Sequence, residues 1–140
     1  MIVADSSALI AILRREPEAD DFLHVIAEAE LCLLSAVSLL EISMVLAGRA
    51  GNKDCWIELD ALIARAGMEV VAQDATLAET ARDAFLQYGK GRHPAALNLG
   101  DCASYALAKT RGVPLLFKGE DFTKTDLVAA HPGTAESEGH

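Results

Sequence analysis

The sequence predicts an α/β domain, built as a three-layer α/β/α sandwich around a short, mainly parallel sheet of four or five strands. Short apolar runs alternate along the chain with longer segments of helical spacing, as in strand–helix–strand units. The apolar runs are continuous, which is typical of parallel strands covered on both faces. A length of 140 residues fits one domain of this kind.

The predicted strands and helices follow one another in regular order. Strands are predicted at 2–4, 31–34, 68–72 and 115–117, with 127–129 as the fifth strand of a five-stranded sheet. Helices are predicted, with their capping residues, at 6–15, 17–29, 35–47, 54–66, 74–88 and 98–111. Pro17 suits a first helical turn, Ser35 and Asp74 are N-cap residue types, and Gly48 and Gly112 predict helix ends.

Composition and charge exclude several classes of protein. With 51% hydrophobic residues the chain is too apolar for a disordered protein, and no apolar run approaches the roughly 20 residues of a membrane span. A net charge of −9 argues against a protein that coats nucleic acid through a basic field. Three cysteines without CxxC spacing predict buried free thiols in a reducing cytoplasm. Residues 1–130 are predicted to form the domain, and 131–140, which have no apolar content to bury, a disordered tail.

Four acidic residues lie where carboxylates are difficult to explain as surface decoration. Asp5 ends the first apolar run and Glu41 interrupts an apolar helix, while Asp101 lies in a first helical turn and Asp121 follows the fourth strand. A carboxylate among apolar residues costs desolvation free energy unless a positive charge meets it. Four such residues predict a shared divalent cation, Mg²⁺ or Mn²⁺. Metal-assisted hydrolysis of a phosphoester is the chemistry that this set predicts.

Each of these acids also has a simpler explanation. Asp5 can cap the helix that follows it, and Asp101 can belong to a capping box at the start of its own helix. Glu41 has no basic residue one turn away, so its alternative is a long-range ion pair with Arg49 or with another helix. Asp121 can be an ordinary turn residue.

The sequence gives little support to other catalytic groups. The four histidines are dispersed, and the chain has no HxxxH, CxxC or GxxxxGK[ST] pattern, so zinc sites and P-loops lack support. Ser7 has no GxSxG context, which disfavours a hydrolase triad.

Four short motifs carry a resemblance to a known family. They are Val-Ala-Asp-Ser-Ser-Ala-Leu from Val3, Ser-Leu-Leu-Glu-Ile from Ser38, Leu-Gly-Asp-Cys from Leu99 and Leu-Phe-Lys-Gly-Glu-Asp-Phe from Leu116. In this order and spacing, over about residues 1–130, the sequence resembles a PIN-domain ribonuclease, specifically a bacterial VapC-type toxin. Many members have Asp-Thr-Ser where this chain has Asp-Ser-Ser from Asp5, so a hydroxyl is retained.

The resemblance implies a compact α/β/α fold whose acidic pocket, formed by the four acids, binds Mg²⁺ or Mn²⁺. It implies selective cleavage of RNA, often tRNA or rRNA. It also implies a homodimer and a cognate VapB-type antitoxin, in a heterotetramer or larger assembly. An antitoxin arginine would enter the pocket, and its apolar helix would need a groove, which we expect around Phe22 and Val25.

These acids and the resemblance together lead to a hypothesis for the reaction. Asp101 or Glu41 accepts a proton from the attacking water, and hydrolysis leaves a 5′-phosphate. Ser7 and Asn98 are predicted to orient the water or the substrate. The basic residues predicted to grip flanking phosphates are Lys90, Arg92, His93 and Lys118. Ordinary solvated charge is the alternative for this basic set.

Two alternatives from other classes stay open. A receiver-like phosphoacceptor domain has a similar length and a parallel sheet, and Asp74 and Lys118 fit it loosely after the third and fourth strands. That alternative leaves Glu41 unexplained. The second alternative is a catalytically inactive PIN-fold binding module, which is harder to reconcile with four retained acids.

Overall fold

The computed structural model describes residues 1–131, apart from the side chains of residues 49 and 50. The tail predicted at 131–140 therefore lies outside the described residues except for its first member. The ring of that residue, His131, packs edge-on against Phe22 with 5.3 Å between ring centroids.

The sheet has four parallel strands, as predicted. They are β1 (Ile2–Ala4), β2 (Cys32–Ser35), β3 (Glu69–Val71) and β4 (Leu115–Leu116), in the order β3-β2-β1-β4. The fifth strand predicted at 127–129 does not form. It is replaced by a single parallel bridge between Leu115 and Ala129, which accounts for two backbone hydrogen bonds of Leu115.

Six α-helices connect and flank the strands. They are α1 (Ser6–Leu13), α2 (Ala19–Glu28), α3 (Ala36–Ala50), α4 (Ile57–Ala66), α5 (Ala75–Tyr88) and α6 (Leu99–Arg111). Two 3-10 helices, Lys53–Trp56 and Asp121–Lys124, precede α4 and follow β4. The predicted end of α3 at Gly48 is wrong. A glycine inside a helix costs only about 1 kcal/mol, and α3 continues to Gly51, whose φ of +70° supplies the left-handed C-cap.

The core lies on both faces of the sheet, which confirms the three-layer prediction. Successive strand residues point to opposite faces. Val3 and Leu115 pack with α5 and α6, whereas Ala4 and Leu116 pack with α1, α2 and α4. Within residues 1–131, none of the helices combines the length and the apolarity that a bilayer crossing requires.

The carboxyl ends of β1 and β4 lie side by side at the centre of this arrangement. The backbone N–H of Asp5 donates to the carbonyl oxygen of Leu116 at 2.9 Å. The loops that leave these two strands are therefore neighbours at one edge of the sheet. Ligands of open α/β sheets bind at this edge.

Candidate active site

Asp5 is a buried carboxylate held by hydroxyl groups. It lies directly after β1, is 1% exposed, and caps α1 by accepting the backbone N–H of Ser7 at 3.0 Å. The hydroxyl of Ser7 donates to the same oxygen, Oδ2, at 2.7 Å. The hydroxyl of Ser104, on α6, donates to Oδ1 at 2.7 Å. Asp5 is thus a helix cap and, at the same time, a fixed acid at the end of the sheet.

Glu41 projects from α3 towards the first turn of α6. Its side chain is half-buried and accepts a hydrogen bond from the Ser6 hydroxyl, with 2.5 Å between Oγ and Oε1. A Cβ atom at Gly100 would stand 2.6 Å from each carboxylate oxygen of Glu41. Glycine at this position therefore makes room for the carboxylate. The Arg49 side chain, the alternative partner, lies outside the described residues.

Asp101 occupies the first turn of α6 and has the predicted capping box. Its Oδ2 accepts the backbone N–H of Asn98 at 3.0 Å, and its own N–H donates to Asn98 Oδ1 at 2.9 Å. Burial raises the pKa of Asp101 to about 6, opposed by the Asn98 N–H and reinforced by the negative charges of Asp5, Glu41 and Asp121. Although the four acids are distant in sequence, the charges of the other three all act on Asp101.

Asp121 lies at the exposed side of this group. It opens the 3-10 helix after β4. The negative charge of Asp121 is one of those that raise the pKa of Asp101.

The donor set of these four acids has the chemistry of a hard-cation site. None of the ion pairs formed among the described residues includes any of them. Their side chains supply only oxygen, which Mg²⁺ and Mn²⁺ prefer. Within residues 1–131, however, no group of three or more His, Cys, Asp and Glu side chains is already arranged to hold an ion.

The two residues predicted to orient water or substrate both contact the acids, and their action on water or substrate stays a prediction. Ser7 donates to Asp5 and accepts the backbone N–H of Lys118 at 3.0 Å, so one hydroxyl joins the loops after β1 and β4. The Asn98 side chain accepts the N–H of Asp101. Both groups support the geometry of the site from its edge.

The predicted phosphate-gripping residues divide into two kinds. Lys118 and His93 have intramolecular partners: Lys118 Nζ lies 3.1 Å from Glu16 and 3.3 Å from Glu18, and His93 Nδ1 accepts the N–H of Ala95. The other two, Lys90 and Arg92, are exposed and take part in none of the ion pairs formed among the described residues. The Arg92 guanidinium lies over the ring of Phe85. The contact of these basic residues with RNA stays a prediction.

Asp74, the phosphoacceptor of the receiver-like alternative, lies apart from the four acids. It follows the edge strand β3 and caps α5 by accepting the N–H of Leu77 at 2.9 Å. Two strands therefore intervene in the sheet order between β3 and β4, where Lys118 follows. The receiver-like alternative has no structural support.

Three residues of the site were given no role by the sequence. Ser104 and Gly100 contact Asp5 and Glu41, and Ser38 lies 3.1 Å from Ser104, hydroxyl to hydroxyl. The sequence signal for the two serines is their spacing from the acids. Ser38 lies three residues before Glu41, and Ser104 lies three residues after Asp101. Residues three apart share a helix face.

The PIN domain family model matches residues 2–128 of the chain. The chain belongs to the PIN domain family. The fold and the acidic group at the carboxyl ends of β1 and β4 agree with the resemblance seen in the motifs.

Sequence relatives place the chain more narrowly. It is 48% identical over 130 residues to Ribonuclease VapC of Mycolicibacterium smegmatis, covering 93% of this chain and 100% of that protein. It is 48% identical over 126 residues to Ribonuclease VapC30 of Mycobacterium tuberculosis, covering 90% and 95%. Within its family the chain is therefore of the VapC type.

Solved structures share the same fold. One is VapC20 of Mycobacterium tuberculosis, described as a sarcin–ricin loop cleaving toxin, with a TM-score of 0.69 and 18% identity over 91% of this chain and 97% of that one. Another is VapBC2 of Rickettsia felis bound to a DNA fragment from its promoter, with a TM-score of 0.70 and 17% identity over 92% and 97%. At these identities the likeness concerns the fold alone.

Proposed function

We propose that this chain is the toxin of a type II toxin–antitoxin system and acts as a metal-dependent endoribonuclease. It hydrolyses cellular RNA of the tRNA or rRNA class, leaves a 5′-phosphate, and so inhibits translation and growth in the cytoplasm. The names of its relatives support this proposal. The observation that carries it is the convergence of Asp5, Glu41, Asp101 and Asp121 at one edge of the sheet, without an ion-pair partner among the described residues.

Asp5, Glu41, Asp101 and Asp121 would hold Mg²⁺ or Mn²⁺, which supplies charge neutralisation at the phosphate and a more acidic water. The chain's own residues prepare the site. Hydroxyls fix Asp5 and Glu41 in place. Asp101 or Glu41 accepts the proton that the attacking water loses. In the metal-free chain the pKa of Asp101 is raised to about 6, chiefly by burial, and a bound cation would favour its ionised form, which can accept a proton.

Recognition of the RNA backbone falls to exposed basic groups. Lys90 and Arg92 are available to contact phosphates flanking the cut. Lys118 would first have to break its ion pairs with Glu16 and Glu18. Breaking them costs little free energy, because both pairs are partly exposed.

The purified, antitoxin-free chain is expected to cleave bacterial RNA in Mn²⁺ or Mg²⁺ and to be inactive in EDTA. The cation offsets the repulsion among the acids and activates the water. Gel electrophoresis measures cleavage, and ligation that requires a 5′-phosphate identifies the new ends. Full cleavage in EDTA would refute the metal dependence. A natively folded chain that cleaves no RNA with either metal would instead be an inactive binding module.

The antitoxin is proposed to dock in a groove of about 710 Å³ between α1, α2 and α4. Its apolar lining includes Ile12, Leu13, Leu23, Ile26 and Leu62. Phe22 and Val25, around which we expected the groove, do not line it. Phe22 is 1% exposed and belongs to the core, and Val25 packs partly buried against that core, so their neighbours form the surface instead. Two of the solved structures with this fold are described as a toxin–antitoxin complex and as VapBC2.

Leu23→Asp is expected to weaken antitoxin binding at least tenfold and to leave RNA cleavage by the free chain unchanged. The substitution places a charge in the apolar groove, away from the acids. Titration of the cognate antitoxin in a calorimeter measures the effect. Val128→Asp, at another exposed apolar residue that does not line this groove, is the matched control. Equal weakening by both variants would place the antitoxin elsewhere.

We also propose a homodimer, assembled with antitoxin into a heterotetramer or larger complex. Exposed apolar side chains on α3, α5 and α6 support it: Leu40, Met44, Leu86 and Leu99 are each more than half exposed. They accompany a groove of about 470 Å³ between the same helices. A second copy of the chain would cover this face.

A further inference from the structure

Ser38 and Ser104 form a buried pair of hydroxyl groups between α3 and α6. Both residues are 0% exposed, and their Oγ atoms lie 3.1 Å apart. The Ser104 hydroxyl also lies 2.7 Å from Asp5 Oδ1. Solvent does not reach this pair, so each hydroxyl depends on its protein partners.

The direction of these hydrogen bonds follows from their chemistry. An ionised carboxylate only accepts, so Ser104 donates its single hydroxyl proton to Asp5. In the contact between the two serines, Ser38 is therefore the donor. The result is a directed chain from Ser38 through Ser104 to Asp5, and a hydroxyl that accepts a hydrogen bond becomes a stronger donor.

The chain of hydroxyls connects three of the four elements that carry the acids. Ser38 lies one turn before Glu41 on α3, and Ser104 lies one turn after Asp101 on α6. Their contact therefore sets the approach of α3 to α6 directly beneath two acids. The chain of hydroxyls ends on a third acid, Asp5, which directly follows β1.

The hydrogen bonds of Asp5 also indicate which of its oxygens remains available. Oδ2 accepts two bonds from Ser7, and Oδ1 accepts one from Ser104. A carboxylate has about four acceptor positions, two on each oxygen. The remaining acceptor position is therefore on Oδ1, the oxygen that Ser104 holds.

We propose that Ser38 and Ser104 are positioning residues of the acidic site, which fix the rotation of the Asp5 carboxylate and present the free lone pair of Oδ1 to the divalent cation. The inference rests on the proposed metal-dependent function and deepens it. Neither serine touches the substrate. Both act through Asp5.

The test is calorimetric titration of Mn²⁺ into the purified, antitoxin-free chain. Ser104→Ala is expected to weaken Mn²⁺ binding about tenfold, the lower end for residues that orient metal ligands. Ser104→Cys, which keeps a weak donor, should fall between alanine and serine. Ser38→Ala should have a smaller effect, and none in the Ser104→Ala background, because it acts through Ser104. Ser43→Ala is the matched control on α3, since that hydroxyl donates to the Leu39 carbonyl oxygen.

The outcomes separate this inference from the proposed function. Failure of the unsubstituted chain to bind Mn²⁺ would overturn both. Binding by the unsubstituted chain with equal affinity in natively folded Ser104→Ala would overturn the inference alone and leave the pair as helix packing. Additive losses from the two alanine variants would overturn the directed chain. Circular dichroism and thermal unfolding establish that each variant is folded.

Discussion

Asp101→Asn is expected to reduce Mn²⁺-dependent RNA cleavage by roughly 10³-fold or more, with a native circular dichroism spectrum. Asparagine has the same shape and can still accept the Asn98 N–H, so the capping box at the start of α6 is preserved. What is lost is one negative charge of the cation site and one proton acceptor. A rate assay under saturating Mn²⁺ measures the loss, and retained cleavage would remove Asp101 from the mechanism.

The same substitution is expected to stabilise the metal-free chain. Burial, reinforced by three nearby carboxylates, raises the pKa of Asp101 from 3.8 to about 6, so the folded state binds this proton more tightly than the unfolded state. The contribution of Asp101 to the free energy of unfolding therefore falls as pH rises from about 4 to about 6. Above about pH 6 it no longer changes. The cost at pH 7 is up to about 3 kcal/mol. Thermal unfolding in EDTA should show a higher Tm for Asp101→Asn at pH 7 and a smaller difference near pH 4.

Added Mn²⁺ should reverse the order of the Tm values of Asp101→Asn and the unsubstituted chain at pH 7. A ligand that binds only the folded state raises its stability, so the Tm of the unsubstituted chain should rise with Mn²⁺ while that of Asp101→Asn changes little. Asp83→Asn is the matched control, because Asp83 is an exposed acid on α5 that does not contribute to the raised pKa of Asp101. A Tm gain of the same size in Asp83→Asn would point to net charge as the cause.

The sequence predicts the fold well because its signals are local. Buried strands follow the apolar runs at β1, β2 and β4, whereas β3 contains Glu69 and is largely exposed at the edge of the sheet. Residues such as Ser35, Asp74 and Asn98 cap helices in the structure as their types predict. The errors occur where local signals compete. Gly48 has a helix-ending residue type, but it lies inside α3 and the left-handed conformation falls at Gly51.

The sequence singles out the four acids of the candidate site but not the residues that contact them. Asp5 and Asp121 follow β1 and β4, whose carboxyl ends must meet in a parallel sheet, so their proximity follows from topology. The contact of Ser104 with Asp5 joins residues 99 positions apart. It depends on how closely α6 approaches β1, which no spacing along the chain specifies. The ion pairs of Lys118 with Glu16 and Glu18 likewise join residues far apart along the chain and depend on how the elements pack.

Gly100→Ala is expected to reduce cleavage about 10²-fold while leaving the fold intact. The added Cβ would lie 2.6 Å from both carboxylate oxygens of Glu41, closer than van der Waals contact allows. The end of a glutamate side chain moves easily, so the clash is relieved by displacing the carboxylate and breaking its bond to Ser6. Misplacement of a reacting group by about 1 Å costs about 10² in rate.

The distinctive result is loss of activity without loss of stability. Alanine favours a helix by up to about 1 kcal/mol over glycine, which offsets the cost of moving Glu41, so the Tm of Gly100→Ala should stay close to that of the unsubstituted chain. Gly48→Ala is the matched control: it also lies inside a helix, and nothing stands within 4 Å of its added Cβ. It should gain stability and keep full activity. Since the two substitutions are chemically identical, a difference in cleavage between them isolates the position of the Glu41 carboxylate, and equal activity would show that this position is not needed for cleavage.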